Sequence, residues 1–186
     1  RHELSTLDWT KIGLPDEIPK DEIIKRPDSL ENEIIKQIQY GECDKLELKS
    51  SFRWDYLQSK INDDLSNVIL KTIAGFFNSY KGGRLIIGVS DDGNILGLEE
   101  DYQRCKPQSK DGFEQLLFRK VRDNIGTSFA AIMELKFVNV EGKEICVIDI
   151  PPASEPAYLS EKNKESIFYL RTGNSTASLN VKEATD

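Results

Sequence analysis

The sequence has one histidine, His2, and three scattered cysteines, Cys43, Cys105 and Cys146, with no C-x-x-C pair. A Cys/His zinc site therefore lacks ligands, because structural zinc takes about four such side chains at close spacing. A sparse, odd cysteine count suits a reducing compartment, so the expected location is cytoplasmic. Apolar runs are short, far from the roughly 18 residues that suggest a membrane helix. The opening Arg1-His2-Glu3-Leu4 lacks the apolar centre of a secretion signal. No G-x-x-x-x-G-K-[ST] occurs, so no nucleotide cofactor is expected. A starting Met is also missing, and Val181 to Asp186 read as a helix cut short. Both features read as a piece of a longer protein carrying other domains.

What is present is an ordinary soluble balance: 186 residues, 38% hydrophobic and 31% charged, enough for one domain with an extension. Net charge is −7, which argues against a uniformly basic nucleic-acid binder. The charge is uneven, however. Residues 1–44 carry 6 basic and 11 acidic side chains, residues 45–90 carry 7 and 4, and residues 91–186 carry 12 and 17. The middle block is locally basic.

Residues 1–27, with Pro15, Pro19 and Pro27, read as an arm. Asp28-Ser29-Leu30-Glu31 has capping-box spacing, and Leu30, Ile34 and Ile38 then form a short amphipathic helix ended by Gly41. Leu46-Glu47-Leu48-Lys49 alternates as a strand with the leucines inward. Leu65, Val68, Ile69, Ile73, Phe76 and Phe77 predict a helix capped by Asn62 or Asp63 and stopped by Gly82-Gly83. Residues 84–89 form a buried strand, 91–94 a turn and 95–98 a return strand. A further helix spans about 111–125, with Phe113, Leu116, Leu117 and Val121 on its core face. Strands follow at 133–137, 145–150 and 168–171. The expected class is α+β: a single mixed β-sheet packed with helices. Residues 1–38 form an arm and short helix, and residues 39–186 the domain.

Three ordered fragments carry a resemblance. Glu42-Cys43-Asp44-Lys45-Leu46-Glu47-Leu48-Lys49 resembles the opening strand of Schlafen AlbA-2 domains. Lys71 to Gly93, containing Asn78, Gly82-Gly83, Gly88 and Asp91, resembles their helix–Gly-Gly–strand–turn centre. Phe168 to Thr176 is similar to their closing R-x-G-x-S-T strand, with Arg171 and Thr176 in place. The resemblance covers roughly 40–180 and implies a nucleic-acid-associated module. Some members with two such lobes form ring-like endoribonucleases. Their three acids, in E-x-x-x-x-E-x-K and two positions after I-G-V, fall on Glu42, Glu47 and Asp91. Here there is one lobe, no zinc cluster, and Ser90-Asp91 where the family commonly has two acids.

Phosphodiester cleavage of that type needs hard oxygen ligands, so Glu42, Glu47 and Asp91 are the candidate Mg²⁺ or Mn²⁺ ligands. Lys49 shares a strand face with Glu47 and is placed to orient water or meet phosphate. The same pair also reads as a solvated strand face, and residues 91–93 as turn chemistry. Lys49, Arg53, Lys60, Arg84 and Arg171 are candidate phosphate contacts, with Trp54 a candidate base-stacking residue. Each charge reads also as a solvated surface charge, Trp54 as edge packing, and Arg171 with Thr176 as a pin for the last strand. Three functions result: a nucleic-acid-binding module, for RNA, in a larger regulatory or defence protein; a metal-dependent endoribonuclease cleaving structured RNA; or an acidic protein-interaction module. A single lobe gripping RNA or DNA is expected to pair as a homodimer, with the Leu30–Ile34–Ile38 stripe either as contact or folded onto its own core.

Overall fold

The computed structural model describes residues 29–160 and 165–179. The expected arm at 1–27 and helix at 181–186 lie outside these. Helix α1, Leu30–Tyr40, begins where the Ser29 side chain accepts the Asn32 N–H, with Glu31 and Glu33 in its first turn favouring the positive helix end. It ends at Gly41, whose N–H still reaches the carbonyls of Gln37 and Ile38 while its positive φ turns the chain off the helix. Ile34 and Ile38 are buried with Leu46, Leu48, Ile86, Val138 and Val147. The apolar stripe thus folds onto its own core, with Leu30 at its start 39% exposed.

Strand β1, Leu46–Lys49, leads into a small hairpin of β2, Trp54–Asp55, and β3, Lys60–Ile61. Helix α2, Asp63–Phe77, then carries the chain to β4, Gly83–Ile87, which pairs parallel with β1. After β4 come two helices, α3, Glu99–Tyr102, and α4, Lys110–Asn124, and the short α5, Thr127–Ile132. Strands β5, Glu134–Val140, and β6, Lys143–Ile150, complete a mixed sheet in the order β1-β4-β6-β5. The α+β class with a mixed sheet against helices holds.

The closing strand does not join that sheet. Strand β8, Ile167–Thr172, pairs with β7, Tyr158–Leu159, and β9, Ser175–Leu179, in a second, three-stranded sheet. Helix α2 lies between the two sheets, contacting β4 and β6 on one side and β7, β8 and β9 on the other. This explains why its buried set is wider than one amphipathic face. Leu70, Thr72 and Ala74 are buried as well as Ile69 and Ile73, and Val68 points to solvent. At Gly75 an added Cβ would lie 2.9 Å from the Thr176 side chain, so the helix approaches β9 closely there. The return strand expected at 95–98 reduces to one bridge, Val89 with Ile95. Among the described residues no helix is long and apolar enough to cross a membrane.

Alternation explains the two cores. Leu46, Leu48, Ile86, Ile145 and Val147 meet α1 on one face of the main sheet. Leu85, Ile87, Cys146 and Ile148 meet α2 and α4 on the other. Gly82 and Gly83 permit the entry to β4 rather than stopping α2. A Cβ on Gly83 would overlap the Phe76 ring, and one on Gly82 the Ile150 carbonyl oxygen. Gly82 also has a positive φ.

Helix α2 ends instead at Asn78, whose side chain joins the second sheet. Its amide nitrogen donates to the carbonyls of Ala157 and Tyr169 at 2.8 Å each, and its oxygen accepts the Ala157 N–H at 2.7 Å. Asn78→Ala orphans three backbone groups and is expected to destabilise the domain by about 2–4 kcal/mol in urea denaturation. A loss below about 1 kcal/mol would mean that water replaces the amide.

Candidate functional site

Two of the three matched acids, Glu42 and Glu47, lie at the open edge of β1. The carbonyls of Lys45 and Lys49 accept N–H groups from Arg84 and Gly88 of the β4 segment. By alternation, the peptide groups of Leu46 and Leu48 face outward. Charged side chains close that edge. The Leu48 N–H donates to Glu42 Oε1 at 3.0 Å, and the Leu48 carbonyl accepts from Lys49 Nζ at 2.7 Å. The Leu46 carbonyl accepts from the Cys43 N–H at 3.0 Å and from Arg171 Nη2 at 3.3 Å. An edge satisfied in this way offers little to a foreign strand.

Lys49 Nζ sits between the two glutamates, 2.7 Å from Glu47 Oε1 and 3.4 Å from Glu42 Oε1. Glu47 and Lys49 do share a face, as their spacing predicts. That face is covered rather than solvated, because β8 brings Arg171 against it. Arg171 Nη1 lies 2.7 Å from Glu47 Oε2. Its Nη2 donates to the Cys43 carbonyl at 2.6 Å, and its Nε to the Asp44 carbonyl at 3.2 Å. The guanidinium also lies over the Phe76 ring, 4.7 Å from its centre. With its side chain 2% exposed, Arg171 is a clamp between β8 and the β1 lead-in and has no free face for phosphate. Thr176 is likewise turned inward, its Oγ1 buried without a hydrogen-bond partner.

Asp91 is exposed on the turn after β4, which Ser90 organises by accepting the Asn94 N–H on its hydroxyl. Among the described residues no three His, Cys, Asp or Glu side chains are grouped so as to hold a metal ion. The donor chemistry agrees. Glu42 and Glu47 already face an ammonium, and Glu47 a guanidinium as well, so a divalent cation there would meet two positive neighbours. In this arrangement the residues do not fit a metal, and no catalytic step follows from it.

Arg84, Arg53 and Trp54 are also engaged within the domain. Arg84 makes a two-pronged pair with Asp149, at 2.6 and 3.1 Å, and reaches Glu33 at 2.7 Å and Gln37 at 3.0 Å. The hydrogen bonds to Asp149 and Glu33 raise its pKa against the cost of burial. Burial pushes Asp149 up, but Arg84 and Lys136 outweigh it and leave the carboxyl below its usual range. Arg53 pairs with Asp63 at 2.9 Å. The Trp54 ring is covered by the Arg104 guanidinium, 3.5 Å from its centre, so that face is closed to a base. Lys60 is exposed and makes no ion pair among the described residues.

Sequence reasoning missed Asp101 because α3 is too short to show periodicity. Its buried carboxylate accepts the Ser51 hydroxyl, the Phe52 N–H and the Arg53 N–H, all at 2.9 Å. It therefore shapes the loop that presents Arg53 and Trp54.

The family profile for "Schlafen, AlbA_2" matches residues 42–180. No curated protein matches the chain. Among solved structures, the DIP2311 protein from Corynebacterium diphtheriae is similar at 20% identity and a TM-score of 0.52 over 73% of this chain, which spans 22% of that protein. The N-terminal domain of a RecG-related protein from Nitrosomonas europaea is 20% identical with a TM-score of 0.49, over 77% of this chain and 88% of that domain. The match over 42–180 includes β1 with Glu42 and Glu47, the Gly82-Gly83 entry to β4 and the Arg171 clamp, and the chain belongs to the Schlafen AlbA_2 family.

Proposed function

We propose that this domain binds nucleic acid, RNA in the first instance, as the recognition part of a larger regulatory or defence protein. The observation that carries the reading is family membership over 42–180. The locally basic block at 45–90 supports it, because Lys45, Lys60 and Lys81 from that block are exposed. The acidic remainder repels phosphate at long range, so binding is weak and salt-led. With three phosphate contacts, affinity for single-stranded RNA is expected to fall about 20-fold between about 50 and 200 mM salt. Filter retention of single-stranded RNA, transfer RNA and duplex DNA over that range tests this. Absence of binding at every salt concentration would favour the protein-interaction reading.

The endoribonuclease reading is supported by one observation: Glu42 and Glu47 meet at Lys49, and the Lys49 carbonyl holds the N–H of Val89, two residues before Asp91. Metal binding there requires Lys49 to move away. Cleavage of transfer RNA with Mn²⁺, abolished by chelator and by Glu47→Gln, is the result that would establish it.

A further inference from the structure

We infer that single-stranded nucleic acid runs over the opposite end of the β1–β4 pair from Asp91, with Tyr40 and Tyr80 as stacking platforms and Lys45 and Lys81 as phosphate contacts. This deepens the nucleic-acid reading and rests on it. Of the six tyrosines, Tyr40 and Tyr80 are the most exposed, at 80% and 93%, against 38% for Tyr56 and 37% for Tyr158. Isolated exposed aromatics are ordinary on a surface. These two border one connected relief.

Three adjoining depressions make up that relief. The first, about 340 Å³, is lined by Tyr40, Lys36, Cys43, Lys45 and Arg84. The second, about 470 Å³, is lined by Lys45, Lys81 and Arg84. The third, about 240 Å³, is lined by Lys45, Tyr80, Lys81 and Gly82. Lys45 borders all three, so a continuous path leads from one tyrosine past both lysines to the other.

Charge selects the occupant. Arg84 pairs with Glu33 and Asp149, and Lys136 with Asp149 and Glu134, so two cations offset two of these three carboxylates. Lys45 and Lys81 are exposed and have no ion pair among the described residues, with the exposed carboxylates of Asp44, Glu33 and Glu134 lining the same depressions. Two available ammonium groups flanked by two bare aromatic rings match a strand of alternating phosphates and unpaired bases. A duplex hides its base faces in the stack and cannot use the tyrosines.

The test uses the 186-residue chain, fluorescently labelled oligouridine and oligothymidine, and a duplex of matched length, read by anisotropy over a salt series. Tyr40→Ala with Tyr80→Ala is expected to weaken single-strand binding at least tenfold, with the salt slope unchanged and duplex binding unaffected. Tyr→Phe at both positions should restore it, because stacking needs the ring and not the hydroxyl. Lys45→Gln with Lys81→Gln is expected to lower the salt slope by about 1.4. The four side chains are exposed or at the surface, and an unchanged melting temperature will show that each variant is folded. Wild-type binding matched by the double alanine variant would overturn this path while leaving nucleic-acid binding intact. A wild-type chain that binds none of the three probes would overturn both.

Discussion

Arg171→Ala is expected to destabilise the domain by about 3–5 kcal/mol, the range for removing one partner of a buried pair. The side chain is 2% exposed, and its loss leaves the Glu47 carboxylate held by Lys49 alone in a nearly buried position. It also orphans the carbonyl of Asp44 and removes one of two donors from that of Cys43, which keeps the Leu46 N–H. Arg171→Lys should recover little, because one ammonium cannot reach a carboxylate and three carbonyls together. A double replacement with similar-sized apolar side chains, Arg171→Met with Glu47→Leu, is expected to regain much of the stability. Urea midpoints for the wild type, Arg171→Met, Glu47→Leu and the double variant make a double-mutant cycle. An Arg171→Ala variant within about 1 kcal/mol of the wild type would show that the clamp is replaceable by water.

This clamp marks where sequence reading stops. Local signals were legible: the Ile34–Ile38 spacing for α1, Asn62 for the start of α2, and the apolar runs of β4 and β6, while the cap of α1 falls on Ser29, one residue after the Asp28 that the capping-box spacing with Glu31 picks out. The shared face of Glu47 and Lys49 was legible too, because strand parity is a local rule. What lies across that face was not, since Arg171 is 124 residues from Glu47 in the chain. Asp149 is similarly 65 residues from Arg84. A cation in sequence reads as a phosphate contact until its carboxylate partner is brought beside it. The second sheet was hidden for the same reason: alternation at 167–170 says that a strand forms, not which strand it pairs with. The hairpin of β2 and β3 was hidden differently, because two-residue strands are too short to display a period. In the candidate interface, Tyr80 and Lys81 stood inside the matched motif, but only exposure separates them from the buried Phe76 and Phe77 nearby.

Asp101→Ala is expected to destabilise the domain by on the order of 3 kcal/mol, since two backbone N–H groups and a hydroxyl lose their acceptor. The carboxylate bonds Phe52 and Arg53 directly, and it fixes the Ser51 hydroxyl, which in turn accepts the Trp54 N–H at 2.6 Å. Burial raises the Asp101 pKa above its ordinary 3.8, and the donors from Phe52, Arg53 and Ser51 oppose that shift without cancelling it. A carboxyl with a raised folded-state pKa binds its proton more tightly in the folded protein. Its contribution to stability is therefore fullest below the ordinary value and declines as pH rises through the raised one. Asp101→Asn cannot titrate and lacks this component, while keeping one acceptor and the side-chain volume. It should be less stable than the wild type at pH 4, and the gap should narrow as pH increases. Denaturation midpoints of both proteins across the acid range measure that gap. A gap that widens with pH would mean that the hydrogen-bond donors outweigh burial at this carboxyl. The loop bearing Arg53 and Trp54 would then be held by an aspartate that favours its charge, and loosening it by acid would become the expected behaviour.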